Sequence, residues 1–388
     1  MPTFYNFREN GVDYSFDDVF VPADLFRDGN LFAWGTATLG RLGNGATTGN
    51  ISTPVTTFSG GTNWKQLGSG SGGHTAAIKT DGTLWTWGNG NNGQLGNAVT
   101  TDISTPVTTF SGGTNWKQVA SGSNFTAAIK TDGTLWTWGR GDSGQLGNAS
   151  TTHVSTPVTT FAGGTNWKQV STGISNIAAI KTDGTLWTWG AGNNGRLGNG
   201  ATTIGSISTP VTTFSGGTNW KQVSASGGGH VGAIKTDGTL WTWGAATNGR
   251  LGNGATIGDK STPVTTFSGG TNWKQVDCGD SQTAAIKTDG TLWIWGNGVY
   301  GRLGNGATTG NISTPVTTFS GGTNWKQVSS TSAVKTDGTL WTWGNGVFGS
   351  LGNASTTNVS TPVTTFAGGT NWKQVSNRSA LTYQDPGI

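Results

Sequence analysis

The chain has 388 residues, a formal charge of +4, a pI near 9.2, 68 glycines, twenty tryptophans and only 10% charged residues. The small positive excess is dispersed and forms no Arg/Lys run, which argues against nucleic-acid binding through a basic patch. A single cysteine, Cys278, excludes an internal disulfide, and no apolar stretch is long enough for a membrane-spanning helix.

Residues 1–26 differ in character from the remainder of the chain. They hold Phe4, Tyr5, Phe7, Tyr14, Phe16, Phe20 and Phe26 among Glu9, Asp13, Asp17, Asp18 and Asp24. Such a segment reads either as a cap on the main body or as a docking arm whose aromatics grip a partner. Met1 to Asn10 lacks a basic segment followed by an apolar one, so no secretion signal is expected. The expected site of synthesis is a cytoplasm, with later incorporation into a larger particle compatible with that.

From residue 27 to 388 the chain repeats. A Leu-Trp-x-Trp-Gly string begins at Leu84, Leu135, Leu186, Leu240, Leu292 and Leu340, after a degenerate copy at Leu31-Phe32-Ala33-Trp34-Gly35. An Asn-Trp-Lys-Gln string places Trp at 64, 116, 167, 220, 273, 325 and 372, and the two strings account for every tryptophan. Each unit of about fifty residues contains four strand-like pieces. In one unit these are Lys65–Leu67, Thr75–Lys79, Thr83–Trp87 and Thr105–Phe110. An Asp-Gly pair between the second and third pieces predicts a tight type I′ hairpin, which needs positive φ at both central residues. Trp85 and Trp87 lie two apart and share one sheet face.

Four antiparallel strands repeated seven times predict an all-β, seven-bladed β-propeller. The last unit stops after Ala380-Leu381-Thr382-Tyr383 without its Trp-x-Trp strand, and Arg27 to Gly35 supplies one. The N-terminal strands are therefore expected to complete the last blade and close the ring, leaving no open sheet edge.

The ordered strings Asp-Gly-Thr-Leu-Trp-Thr-Trp-Gly, Gly-Gln-Leu-Gly-Asn (Gly93–Asn97 and Gly144–Asn148), Pro-Val and Trp-Lys-Gln-Val resemble the regulator of chromosome condensation repeat family over residues 27 to 388. The resemblance implies a seven-bladed propeller with interlocked ends that binds proteins through one face. Members of the family include an exchange factor for the GTPase Ran, ubiquitin-ligase modules and a bacterial propeller that inhibits a β-lactamase. The even spacing here shows no inserted wedge of the kind the exchange factor relies on. The first 26 residues are similar to N-terminal segments of repeat proteins from phages of marine cyanobacteria. That likeness implies a virion component, such as a tail or capsid appendage, whose partners are other virion proteins or a host-surface molecule. The alternatives are a cytoplasmic bacterial interaction or inhibitor module and, third in order, a guanine-nucleotide exchange factor.

Catalysis is not expected. The histidines His74, His153 and His230 lie in different units and read as hairpin-loop residues, and no Cys/His set has zinc spacing. No metal or cofactor is expected. Gly88–Gly93 matches G-x-G-x-x-G without the helix that a nucleotide site needs. Arg140-Gly141-Asp142 is an integrin-type tripeptide, and Asp277 to Asp280 reads as a polar loop.

Copies differ mainly after the first strand and on either side of Leu-Gly-Asn. In an up-and-down blade these loops emerge on one face, and the repetitive turns on the other. The variable face is the expected recognition surface, with His74, Phe125, Arg140, Asp142, His153, Ile174, His230, Asp280, Tyr300 and Phe348 as candidate contacts. The opposite face is expected to carry a ring of lysines from Lys65 to Lys373, with Lys79 and Lys130 leading a second, solvated set beside the turn aspartates.

Overall fold

Each Trp-Lys-Gln string begins the innermost strand of an antiparallel blade, and in six blades the four strands follow in chain order. The computed structural model describes residues 7–9, 12–14, 28–58, 63–69, 72–201, 205–376 and 379–383. In blade 1 the strands are Trp64–Ser69, His74–Lys79, Leu84–Gly88 and Ile103–Thr108, the last at the periphery. Blades 2 to 6 begin at Trp116, Trp167, Trp220, Trp273 and Trp325 and repeat this order. Blade 7 takes Trp372–Ser376 and Ser379–Tyr383 from the C-terminal end and Asp28–Thr36 and Asn50–Thr56 from the N-terminal end. The expected closure is thus observed.

The inner strands would be exposed sheet edges around the axis. Glutamine removes that problem. Each Trp-Lys-Gln amide reaches the next blade, where Nε2 donates to the carbonyl, and Oε1 accepts from the N–H, of the residue after that blade's own glutamine. Gln66 makes this double bond to Val119, and the pattern passes through Gln118, Gln169, Gln222, Gln275 and Gln327 to Gln374, which binds Leu67. All fourteen bonds measure 2.7–3.2 Å, and they form a closed belt.

A second belt comes from the second tryptophan of each pair. Trp87 Nε1 donates to the Arg41 carbonyl of the preceding blade. Trp138, Trp189, Trp243, Trp295, Trp343 and Trp34 bond in the same way to Gln94, Gln145, Arg196, Arg250, Arg302 and Ser350, all at 2.9–3.1 Å. These rings are buried, and each removes enough surface from water for about 4–6 kcal/mol gross, an upper bound. The approach is close. A Cβ on Gly96, whose φ is +68°, would lie 2.6 Å from Trp138 Nε1, so Leu-Gly-Asn needs its glycine.

The Asp-Gly turns differ from the expected type. Gly82 N–H donates to Lys79 O and Lys79 N–H to Thr83 O, both at 3.0 Å, and Gly82 (φ 79°) alone has positive φ. This is a type I turn followed by a glycine bulge rather than a type I′ turn. The added residue lets the Asp81 carboxylate accept from both the Thr83 amide and hydroxyl, and that hydroxyl accepts from Trp85 Nε1. In blade 3, hydrogen bonds from the Thr185 hydroxyl and amide hold the Asp183 carboxyl below the usual range.

Strands Phe7–Glu9 and Val12–Tyr14 pair as a two-stranded sheet of their own. Phe7 and Tyr14 therefore sit on paired strands, while Phe4, Tyr5, Phe16 and Phe20 lie outside the described residues. No helix among the described residues is long and apolar enough to cross a membrane.

Candidate functional site

The loops after the inner and third strands share one face. Backbone bonds tie them together: Asn89 N–H to Gly73 O, Arg140 N–H to Asn124 O and Ala191 N–H to Ser175 O, at 2.8–3.0 Å. The Asp-Gly turns and the links between blades share the other face, where Trp116 N–H donates to Gly82 O at 3.0 Å. The sorting of variable loops onto one face follows from this alternation.

Three candidate contacts are corrected. His74, Phe125 and His230 are not loop or surface residues; each begins a second strand and is buried. They are one half of blade-to-blade pairs. His74 Nε2 meets Thr126 Oγ1 of the next blade at 2.9 Å, and His230 Nε2 meets Thr283 Oγ1 at 2.8 Å. Phe125 packs in one apolar cluster with Ile177, the counterpart of those threonines. Polar therefore pairs with polar and apolar with apolar across the interface. Asn176 departs from this: Val231 replaces the threonine, and the amide has no hydrogen-bond partner. Variation at this position records packing partners one repeat away.

Burial pushes both imidazoles down to about 3 from the ordinary 6.5, helped at His230 by Arg250. The unfolded chain takes up these protons near pH 6.5 and the folded chain does not, so stability falls as pH drops from about 6.5 towards 3. Replacing His74 and Thr126 by Phe and Ile copies the Phe125–Ile177 pair. This variant is expected to lose about 2 kcal/mol less than the parent between pH 7 and 4.5 in urea titrations. Equal losses would mean that His74 is free to protonate in the folded protein.

The remaining candidates reach solvent. Arg140 and Asp142 bind each other at 2.7 Å, which closes the tripeptide on itself. His153 Nδ1 accepts from Gly141 N–H at 3.4 Å, the loop-bracing place that Asp102 and Asp259 fill in blades 1 and 4. Ile174 and Asp280 are exposed on the loops after inner strands. Tyr300 and Phe348 are exposed and have φ of 64°. A left-handed conformation costs a non-glycine residue roughly 1–2 kcal/mol. Leu39 (φ 63°), Asn194 (φ 60°) and Asn248 (φ 66°) occupy the same place in their loops. The sequence marked these segments as variable; the backbone strain within them is visible only in the fold.

The opposite face differs from expectation in one respect. Lys79 and Lys130 are not simply solvated. Each ammonium lies 4.4–4.9 Å from the centroids of two tryptophan rings, Trp64 and Trp85 or Trp116 and Trp136, and blades 3 to 6 repeat the clamp. Blade 7 has Thr382 in the lysine's place and Phe32 in the tryptophan's. The ring from Lys65 to Lys326 is exposed, and Lys373 is half-buried. A ring of seven phenylalanines, Phe58 to Phe366, follows the outer strands at 69–73% exposure, a feature missed in the sequence because every copy is identical.

A solvent-open cavity of about 360 Å³ lies on the axis, walled by the inner strands. Where other blades put Gly68, Ala120 or serine, blade 5 puts Asp277, whose carboxyl is pushed up to about 7 by desolvation and accepts from Ser330 N–H at 2.8 Å. Burial also raises the adjacent Cys278 thiol, which favours its protonated, unreactive form. Among the described residues no cluster of three or more His, Cys, Asp or Glu could hold a metal ion.

The family model described as RCC1-like domain matches residues 30–380. The chain is 28% identical over 290 residues to the human E3 ubiquitin-protein ligase HERC2, covering 73% of this chain and 6% of that one. It is 30% identical over 281 residues to the Arabidopsis thaliana ultraviolet-B receptor UVR8, covering 71% and 62%. The chain thus spans less than two thirds of either relative. Yeast RCC1 (Prp20), solved with Kap60, superposes with a TM-score of 0.79 at 17% identity over 100% of this chain and 97% of that one. Human WBSCR16 gives 0.78 at 19% identity over 92% and 100%. The repeats, the closed seven-blade ring and the match over nearly all of the propeller place this chain in the RCC1-like domain family.

Proposed function

We propose that the chain is a protein-binding propeller that does no chemistry of its own and recognises its partner through the variable face. One observation carries this reading. Scaffold strings repeat almost unchanged, while the solvent-exposed differences, including Arg140, Asp142, His153, Ile174, Asp280, Tyr300 and Phe348, collect on one side of the disc. The buried His74, Phe125 and His230 have no part in it.

The finer reading is a component of a phage particle, a tail or capsid appendage that attaches to a host-surface molecule or to other virion proteins. The N-terminal aromatic segment supports it through its likeness to repeat proteins of marine cyanobacterial phages. The test is mass spectrometry of gradient-purified particles after lysine cross-linking. The chain is expected in the particles, with partner cross-links from Lys260 on the variable face. Absence from particles removes the virion reading. Partner cross-links solely from the Lys65 ring remove the face assignment.

A further inference from the structure

We propose that the loops after the third strands of blades 5, 6 and 7 form an off-axis docking arc for a protein segment that presents apolar side chains flanked by carboxylates. The inference rests on the reading of the variable face as the recognition surface and narrows it to one sector.

Comparison between blades carries the inference. In five blades the loop after the third strand holds a non-glycine residue in the left-handed region, between Gly or Ala two residues before and Gly after. Blades 3 and 4 use Asn194 and Asn248, a residue type that tolerates this backbone. Blades 5, 6 and 7 use Tyr300, Phe348 and Leu39. The fold accepts asparagine there, so it does not demand the bulky residues. Burial does not explain the two aromatics either: Tyr300 and Phe348 are 45% and 54% exposed, beside Val299 and Val347 at 38% and 43%. The other four blades show water Asn91-Asn92, Asp142-Ser143, Asn193-Asn194 and Thr247-Asn248 at these two positions. The three departures fall in consecutive blades, joined in order by the bonds from Gln275 to Val328 and from Gln327 to Val375. Strain retained without a structural need, beside exposed apolar surface, marks a binding surface.

Charge selects the partner's chemistry. Residues 36–49, 297–310 and 345–358 contain no Asp or Glu, whereas the matching loops of blades 1, 2 and 4 each contain an aspartate. The arc carries Arg41 and Arg302, and the Arg302 guanidinium lies 5.3 Å from the Tyr300 ring centroid. A segment with aromatic or aliphatic anchors and neighbouring carboxylates complements this surface.

The test is selection of random peptides displayed on yeast against the immobilised full chain, followed by titration of the enriched peptides. Enriched peptides are expected to combine Asp or Glu with large apolar residues. The triple variant Leu39→Asn, Tyr300→Asn, Phe348→Asn should melt no lower than the parent, because asparagine already stands at this place in blades 3 and 4, and should bind roughly tenfold or more weakly. Arg302→Glu should weaken binding on its own, and Arg140→Ala with His153→Ala should weaken it less than the triple variant does. Equal binding by parent and triple variant overturns the arc, as does a failure to enrich any peptide. Peptides sensitive to Arg140→Ala with His153→Ala but not to the triple variant overturn the arc and leave the variable-face reading standing. Peptides sensitive only to Lys65→Glu with Lys117→Glu overturn both.

Discussion

Deleting residues 1–35 is expected to abolish cooperative folding, and a rearranged chain that joins the two strands flanking the seam in blade 7 is expected to restore it. The deletion removes nearly all of the strand Asp28–Thr36, which pairs with Ser379–Tyr383 on one side and Asn50–Thr56 on the other. It takes away buried Leu31, Ala33 and Trp34 and the bond from Trp34 Nε1 to Ser350 O. Loss of a buried Trp alone costs about 3–5 kcal/mol, a large part of the roughly 5–15 kcal/mol that holds a domain folded. Two sheet edges are opened as well.

The rescue follows from register. Leu31 pairs with Leu381 as Leu84 pairs with Ile78, so Tyr383 and Asp28 occupy the places of Thr80 and Asp81. A peptide bond from Tyr383 to Asp28 therefore rebuilds the turn of the other blades. A chain running 63–383 and then 28–58 should fold and melt sharply by circular dichroism. A 36–388 protein that melts like the full chain, or a rearranged chain that stays unfolded, would count against closure by register.

The second large effect separates the two tryptophans of a pair. Trp243→Ala should cost about 3–5 kcal/mol, because that ring is fully buried and its loss leaves the Arg196 carbonyl without the bond from Nε1. Trp241→Ala should cost roughly half as much or less. Trp241 is half-buried, bonds within its own blade to Thr239, and lies under the Lys235 ammonium at 4.6 Å. Urea unfolding of the two variants measures the difference. Equal costs would mean that the blade-to-blade bonds do not hold the ring.

Much of this architecture was legible in the residues. Fixed tryptophan spacing gave the number of blades, and the unfinished last unit gave the closure. The Asp-Gly pairs located the hairpins, although the turn proved to be type I with a bulge. Alternation of strands then assigned the variable loops to one face, because an up-and-down meander admits only that arrangement.

Tertiary structure decided what each variable residue does. His74 and His230 look like loop residues until Thr126 and Thr283 are set against them, 52 and 53 residues away. The glutamine belt, the lysines over tryptophan pairs and the left-handed Tyr300 were equally invisible. The physical reason is common to all of them. A local pattern specifies period and turn chemistry within one unit, whereas the residue that satisfies a buried polar group here lies about one repeat away, in a copy with nearly the same sequence. Only the closed ring shows which copy faces which, and which side chains are left facing water.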